Sequence, residues 1–163
     1  MPEAARPHGL GFDSFWDFAL RIWASAPARE RLLHWQENHD VDVILALFAL
    51  WYPGGIRKHN WEALMQAAAS WRDRTTARVR ALRRRLKPEG PHQPNRAALY
   101  TATKALEVTC ERTAAMRLFK SALDLGDPAA TPDLTRRLQL LFPALPVTEI
   151  RDGIPELTQA GCT

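Results

Sequence analysis

The chain is poor in cysteine, and its two cysteines form no pattern. Cys110 and Cys162 show neither metal-binding nor redox spacing. The reading therefore expects a reduced, cytoplasmic protein, with Cys110 a small core residue and Cys162 in the tail. Long apolar runs are missing as well. Val43 to Tyr52 falls far short of the about 20 residues that cross a bilayer, so it is read as a buried core helix. Residues Met1 to Pro7 contain no apolar h-region, and no secretory leader is expected. There is no glycine-rich phosphate loop, and Ser14, Ser25, Ser70 and Ser121 stand in no nucleophile-elbow context. No segment alternates convincingly as a strand, and no internal repeat is visible. Nucleophilic catalysis is thus left without a sequence signal.

What the chain does have is helical periodicity and tryptophan. Its 163 residues suit one domain with a sizeable core, and 46% of them are hydrophobic. Four of the six tryptophans lie between Phe15 and Gly55, and eleven of the fourteen aromatics lie at or before Trp71. The spacing predicts a first helix from Asp13 or Ser14, with Ser14 and Asp17 resembling a capping box. Pro27 opens a second helix that runs to about Asn38. Asp40 is placed as the N-cap of a third, whose apolar residues surround it and make it central. A fourth helix, capped by Asn60, carries the stripe Trp61, Leu64, Met65, Ala68, Trp71, Thr75, Val79, Leu82 and Leu86. A proline-rich loop leads to a fifth, capped by Asn95 and closed by Gly126. A short helix follows from Pro132 to Leu141, capped by Thr131.

The expected fold is all-α: five main helices in one bundle-like domain over 12–142, with a long antiparallel hairpin over about 61–125 and a short C-terminal helix. Residues 1–11 are expected as a flexible arm and 143–163 as an extended or disordered tail.

Charge is uneven. The chain carries +4 overall, yet Arg72 to Lys87 holds eight basic residues and one acidic one, a balance of +7 that leaves −3 for the remainder. Arg72, Arg74, Arg78, Arg80, Arg83, Arg84, Arg85 and Lys87 form a basic face suited to an acidic protein or to phosphates. Glu107, Glu111 and Asp124 of the next helix are its expected partial counterweight. Of the tryptophans, Trp16 and Trp51 are expected in the core. Trp23 and Trp61, near helix ends, are expected to reach a surface and anchor a partner. A separate cluster, His34, Glu37, His39, Asp40 and Asp42, offers ligand types suited to a divalent metal, with His34 and Glu37 on one helix face. From it, His34, Glu37, His39 and Asp42 are the candidate ligands.

Phe15-Trp16-Asp17-Phe18-Ala19-Leu20, Gln36, Asp40 to Trp51, Trp71-Arg72, Arg80 to Lys87 and Lys104 to Glu107 occur in an order that resembles a family of small proteobacterial proteins of unknown function. The resemblance covers about residues 12–126 and implies an all-helical fold without assigning an activity or a ligand. It also implies an amide where this chain has Asp42. A carboxylate there needs a nearby cation or another partner for its charge.

The functional expectation is a non-enzymatic interaction or adaptor protein that uses the basic face and exposed aromatics. Its partner is expected to be another protein with an acidic surface. Nucleic-acid or other polyanion binding is the alternative, and a helical metal protein or metal-dependent enzyme the third. No cofactor is called for, no membrane span is expected, and a homo-oligomer is compatible with the pattern.

Overall fold

The computed structural model describes residues 11–127 and 132–163, with the side chains of 124–127 outside that description. The N-terminal arm expected at 1–11 falls outside it except for Gly11, as do the Thr131 cap and the Asp124 side chain. Among the described residues the chain is all-α. The helices are α1 (Phe12–Ala24), α2 (Ala26–His39), α3 (Val43–Trp51), α4 (Lys58–Trp71), α5 (Ala77–Leu86), α6 (Pro94–Leu125), α7 (Leu134–Leu141) and α8 (Val147–Cys162). Sheet is confined to a two-residue antiparallel bridge, Gly55 opposite Asp127 and Ile56 opposite Gly126, which ties the α3–α4 connection to the end of α6. Gly126, expected as a helix cap, serves in that bridge. None of these helices is long and apolar enough to cross a membrane.

The central position of α3 follows from its composition. Leu45 through Leu50 are all buried, and α1, α2, α6 and α7 pack around the helix. Phe48 meets Phe15 edge-on at 5.3 Å between centroids and also touches the rings of Trp51, Tyr52 and Trp61. Trp16 and Trp51 border this core, half-buried. The deepest tryptophan is Trp35 on α2, which is wholly buried.

Helix boundaries differ from the sequence reading for local reasons. The first helix starts one residue earlier, at Phe12, with Gly11 as a cap that makes no side-chain bond, so the Ser14 capping box does not form. Asp40 ends α2 rather than starting α3. It adopts the left-handed conformation, φ 52°, which Asp tolerates better than most residues. The N-cap of α3 is Asp42, whose Oδ1 accepts the Leu45 N–H at 3.0 Å. Its other oxygen lies 4.0 Å from Arg72 Nη1. The carboxylate thus has both a cap donor and a nearby cation. Arg57, not Asn60, caps α4, and Asp133 caps α7 through the Arg136 N–H.

The largest correction concerns the C-terminus. Residues 143–163 are not an extended tail: Val147–Cys162 is the four-turn helix α8, packed on α1, α2 and α7. Ile150 and Leu157 are buried, while Pro155 lies on the exposed side.

Candidate functional site

The expected fourth helix is one rod made of two α-helices joined through a five-residue π turn, Arg72–Thr76. An inserted π turn advances the chain by about one extra residue and rotates everything after it relative to what precedes it. The core stripe Trp61, Leu64 and Ala68 continues as far as α4 extends. Beyond the turn the expected stripe slips. Thr76 becomes buried, Arg80 and Arg83 swing toward α6, and Leu82 is thrown out to 45% exposure. Periodicity read without the π turn therefore assigns Leu82 and Arg83 to each other's sides.

Two of the eight basic residues consequently serve the hairpin itself. Arg80 Nε donates to Glu107 Oε1 at 2.8 Å and Arg80 Nη2 to Glu111 Oε1 at 3.2 Å. Arg83 Nε donates to Glu107 Oε2 at 2.5 Å. Burial works against the ionised Glu107, but its bonds to Arg80 and Arg83 outweigh that and hold its carboxyl below the usual range. Glu111 goes the other way. Burial raises it, the neighbouring Glu107 charge adds to this, and its single bond to Arg80 does not compensate.

The signs give a pH prediction. Stability from Glu107 is present above the ordinary carboxylate range and is lost as pH falls through its depressed folded value. Glu111 costs stability as pH rises through its elevated folded value. Glu111→Gln should therefore flatten the loss of stability between mildly acidic and neutral pH, and Glu107→Gln should cost about 1–2 kcal/mol at neutral pH. Urea unfolding across pH measures both. A Glu111→Gln profile parallel to wild type would refute the assignment.

The remaining basic residues divide further. Arg72 reaches Asp73 at 3.4 Å as well as Asp42, and Arg74 bonds Ser70 one turn back. Arg78, Arg84, Arg85 and Lys87 are exposed, and among the described residues their side chains have no ion-pair partner. Arg78 and Arg85, seven residues apart, share a face of α5. No residue of α5 is buried; its main packing partners are α6 and the π turn. With 32 residues, α6 is about 48 Å long. Its C-terminal half enters the core through Ala115, Leu118 and Ala122, while its first three turns bury only Thr103. The α5 end of the hairpin thus stands out from the body with Leu82, Leu99 and Leu106 exposed, Leu99 by 55%. Leu99 and Leu106 share one face of α6.

Of the two tryptophans expected at the surface, Trp23 is 41% exposed, but Trp61 is buried at 2% beneath the Arg137 guanidinium. A helix-end position was a poor guide because α7 covers that end of α4. Cys110 is buried, and its thiol is pushed up by burial and by the Glu111 and Glu107 charges, which disfavours the nucleophilic thiolate.

The metal candidates also regroup. Glu37 is exposed and outside the cluster, and Asp42 is committed to its cap and to Arg72. His34 and His39 instead converge on Glu149, in the first turn of α8, each Nε2 lying 3.4 Å from the same Oε1. Burial disfavours the ionised Glu149, but the two imidazoles outweigh it and hold the carboxyl below its usual range. Glu149 was hidden because it lies in the expected tail. Val147, Ile150, Ile154 and Leu157, at helical spacing, were the available signal.

Residues 14–118 match a family described as Protein of unknown function (DUF2390). No curated protein and no solved structure matches the chain. The family match extends from the first turn of α1 well into α6, over more than half of the sequence, and the chain belongs to the DUF2390 family.

Proposed function

We propose that the chain is a non-enzymatic interaction protein whose projecting α5–α6 hairpin receives an acidic, amphipathic segment of another protein. The observation that carries this reading is that α5 buries none of its residues while it and its C-cap Lys87 present four cations without an ion pair among the described residues, Arg78, Arg84, Arg85 and Lys87, together with the exposed Leu82. A helix that is polar and uncovered gains little from its own fold. Leucines beside unpaired cations supply both parts of a helix-binding surface: apolar area for affinity, and charge for steering and register. Phosphates would be met by the same cations. However, stacking aromatics of the kind that hold single strands are sparse here, Tyr100 being the aromatic residue of the hairpin's outer half.

The test replaces Arg78, Arg84, Arg85 and Lys87 together with Gln. These side chains are exposed and have no ion pair among the described residues, so the midpoint of unfolding should stay close to wild type, within about 0.5 kcal/mol. Affinity capture from the native host should lose a salt-sensitive protein in this variant, and the same protein in Leu82→Ser/Leu106→Ser. An unchanged capture set in both variants would end the proposal. Tight binding of mixed-sequence RNA or DNA at physiological salt, abolished by the quadruple change, would replace it with polyanion binding.

A further inference from the structure

We infer that His34, His39 and Glu149 form a surface site for a divalent transition-metal ion of the zinc class, clamping the C-terminal end of α2 to the first turn of α8. The three ligand atoms lie within 4.8 Å of one another. A tetrahedral ion with nitrogen and oxygen ligands at about 2.0–2.2 Å sets those ligands roughly 3.4 Å apart. Both imidazole Nε2 atoms already stand at 3.4 Å from Glu149 Oε1. As hydrogen bonds these contacts are at the long limit; as edges of a coordination polyhedron they have the right length. Only the separation between the two imidazoles must close.

A second observation points the same way. Among the described residues Glu149 Oε2 is buried without a hydrogen-bond partner, while Oε1 is shared by both imidazoles. Metal coordination offers Oε2 a partner, which the two rings alone do not. Two imidazoles and a carboxylate make a borderline-soft donor set that selects zinc, cobalt, nickel or copper over magnesium or calcium. His34 is half-exposed, leaving room for water as a further ligand. Asn38 completes the surroundings: its amide lies 3.0 Å from His34 Nδ1. Metal on Nε2 moves the ring proton to Nδ1, so the Asn38 Nδ2, which also donates to the His34 carbonyl at 3.0 Å, must swing off Nδ1 when the ion binds.

The full chain, purified metal-free in a Cys162→Ser background to remove the exposed thiol, is titrated with Co²⁺ and then with Zn²⁺. One equivalent of Co²⁺ should bind saturably, with the visible absorption of a four- or five-coordinate ion, and Zn²⁺ should displace it. Zn²⁺ should also raise the melting temperature, because it binds across α2 and α8 only when both are folded. Glu149→Gln should weaken binding by roughly tenfold or more, and His39→Ala by more than that. The half-exposed His34→Ala serves if His39→Ala does not fold. Glu37→Ala, on the same helix but outside the cluster, should bind as wild type. Absence of saturation by about 0.1 mM metal, or affinity equal in His34→Ala and wild type, would overturn the site.

Discussion

Replacing Arg137 with Met should destabilise the protein by about 3–5 kcal/mol, although the substitution removes a charge from the interior. Arg137 is only 6% exposed and has no ion pair among the described residues. Its Nη1 donates to Ala49 O at 2.6 Å and Tyr52 O at 2.8 Å, and its Nη2 to Gly54 O at 2.6 Å. These carbonyls belong to the end of α3 and the turn beyond it, where a helix has unpaired acceptors and a partial negative charge. The guanidinium also lies 5.2 Å from the centroid of the Trp61 ring.

Burial opposes the cation and pulls its pKa down to about 10, so it stays charged at neutral pH. Against that cost, roughly 1.4 kcal/mol for each pKa unit, stand three carbonyls, those of Ala49 and Gly54 in buried bonds and that of Tyr52 in a part-buried one. Each costs about 1–3 kcal/mol if stranded. Met fills the space but pairs with none of them, so the carbonyls decide the sign. Arg137→Lys keeps the charge but loses the fork, and should fall between Met and wild type. Urea unfolding measures both. A Met variant as stable as wild type would mean that water reaches the end of α3 and that Arg137 does not hold it.

Arg137 also marks what the sequence could and could not convey. The apolar spacing of α1, α3 and α4 was legible because those helices bury a periodic face, and the centrality of α3 followed from its lack of polar residues. Arg137 was not legible, because an arginine beside Arg136 in a short helix has the pattern of a solvated face. Its role depends on where the α3 carbonyls come to lie, which is a tertiary fact. Leu82 and Arg83 exchanged roles for a related reason. A π turn has no distinctive composition, and Arg72–Thr76 looks like any polar stretch of helix. In the candidate metal cluster, two of the three side chains were found from their local spacing on α2. The third, Glu149, lies 110 residues beyond His39, in a stretch whose prolines and glycine signal an extended tail.

The expectation of a tail rests on Pro143, Pro146, Gly153 and Pro155, which act as helix breakers in an isolated chain. In the folded chain Gly153 and Gly161 are what let α8 dock. A Cβ at Gly153 would stand 2.5 Å from Trp35 Cζ2, 2.8 Å from Trp35 Cη2 and 2.9 Å from Arg31 Cδ. At Gly161 it would run into the ring of Phe18. Trp35 is wholly buried and cannot move aside without displacing its neighbours. By helix propensity alone each Gly→Ala change should stabilise α8 by up to about 1 kcal/mol. By packing, each should destabilise by about 1–3 kcal/mol, and the packing cost wins because both sites are closed. The glycines lie about 12 Å apart along α8, so their effects should add. Gly153→Ala/Gly161→Ala is therefore expected to lose about 2–6 kcal/mol of packing, offset by up to about 2 kcal/mol of propensity, and to shed α8, seen as reduced helical circular dichroism and early proteolysis near residue 146. Gln159→Ala, on the exposed side, is the control and should leave both readouts unchanged. If the double variant instead gains stability, propensity has prevailed, and the close seat of α8 on Trp35 and Phe18 is not what fixes the C-terminal helix.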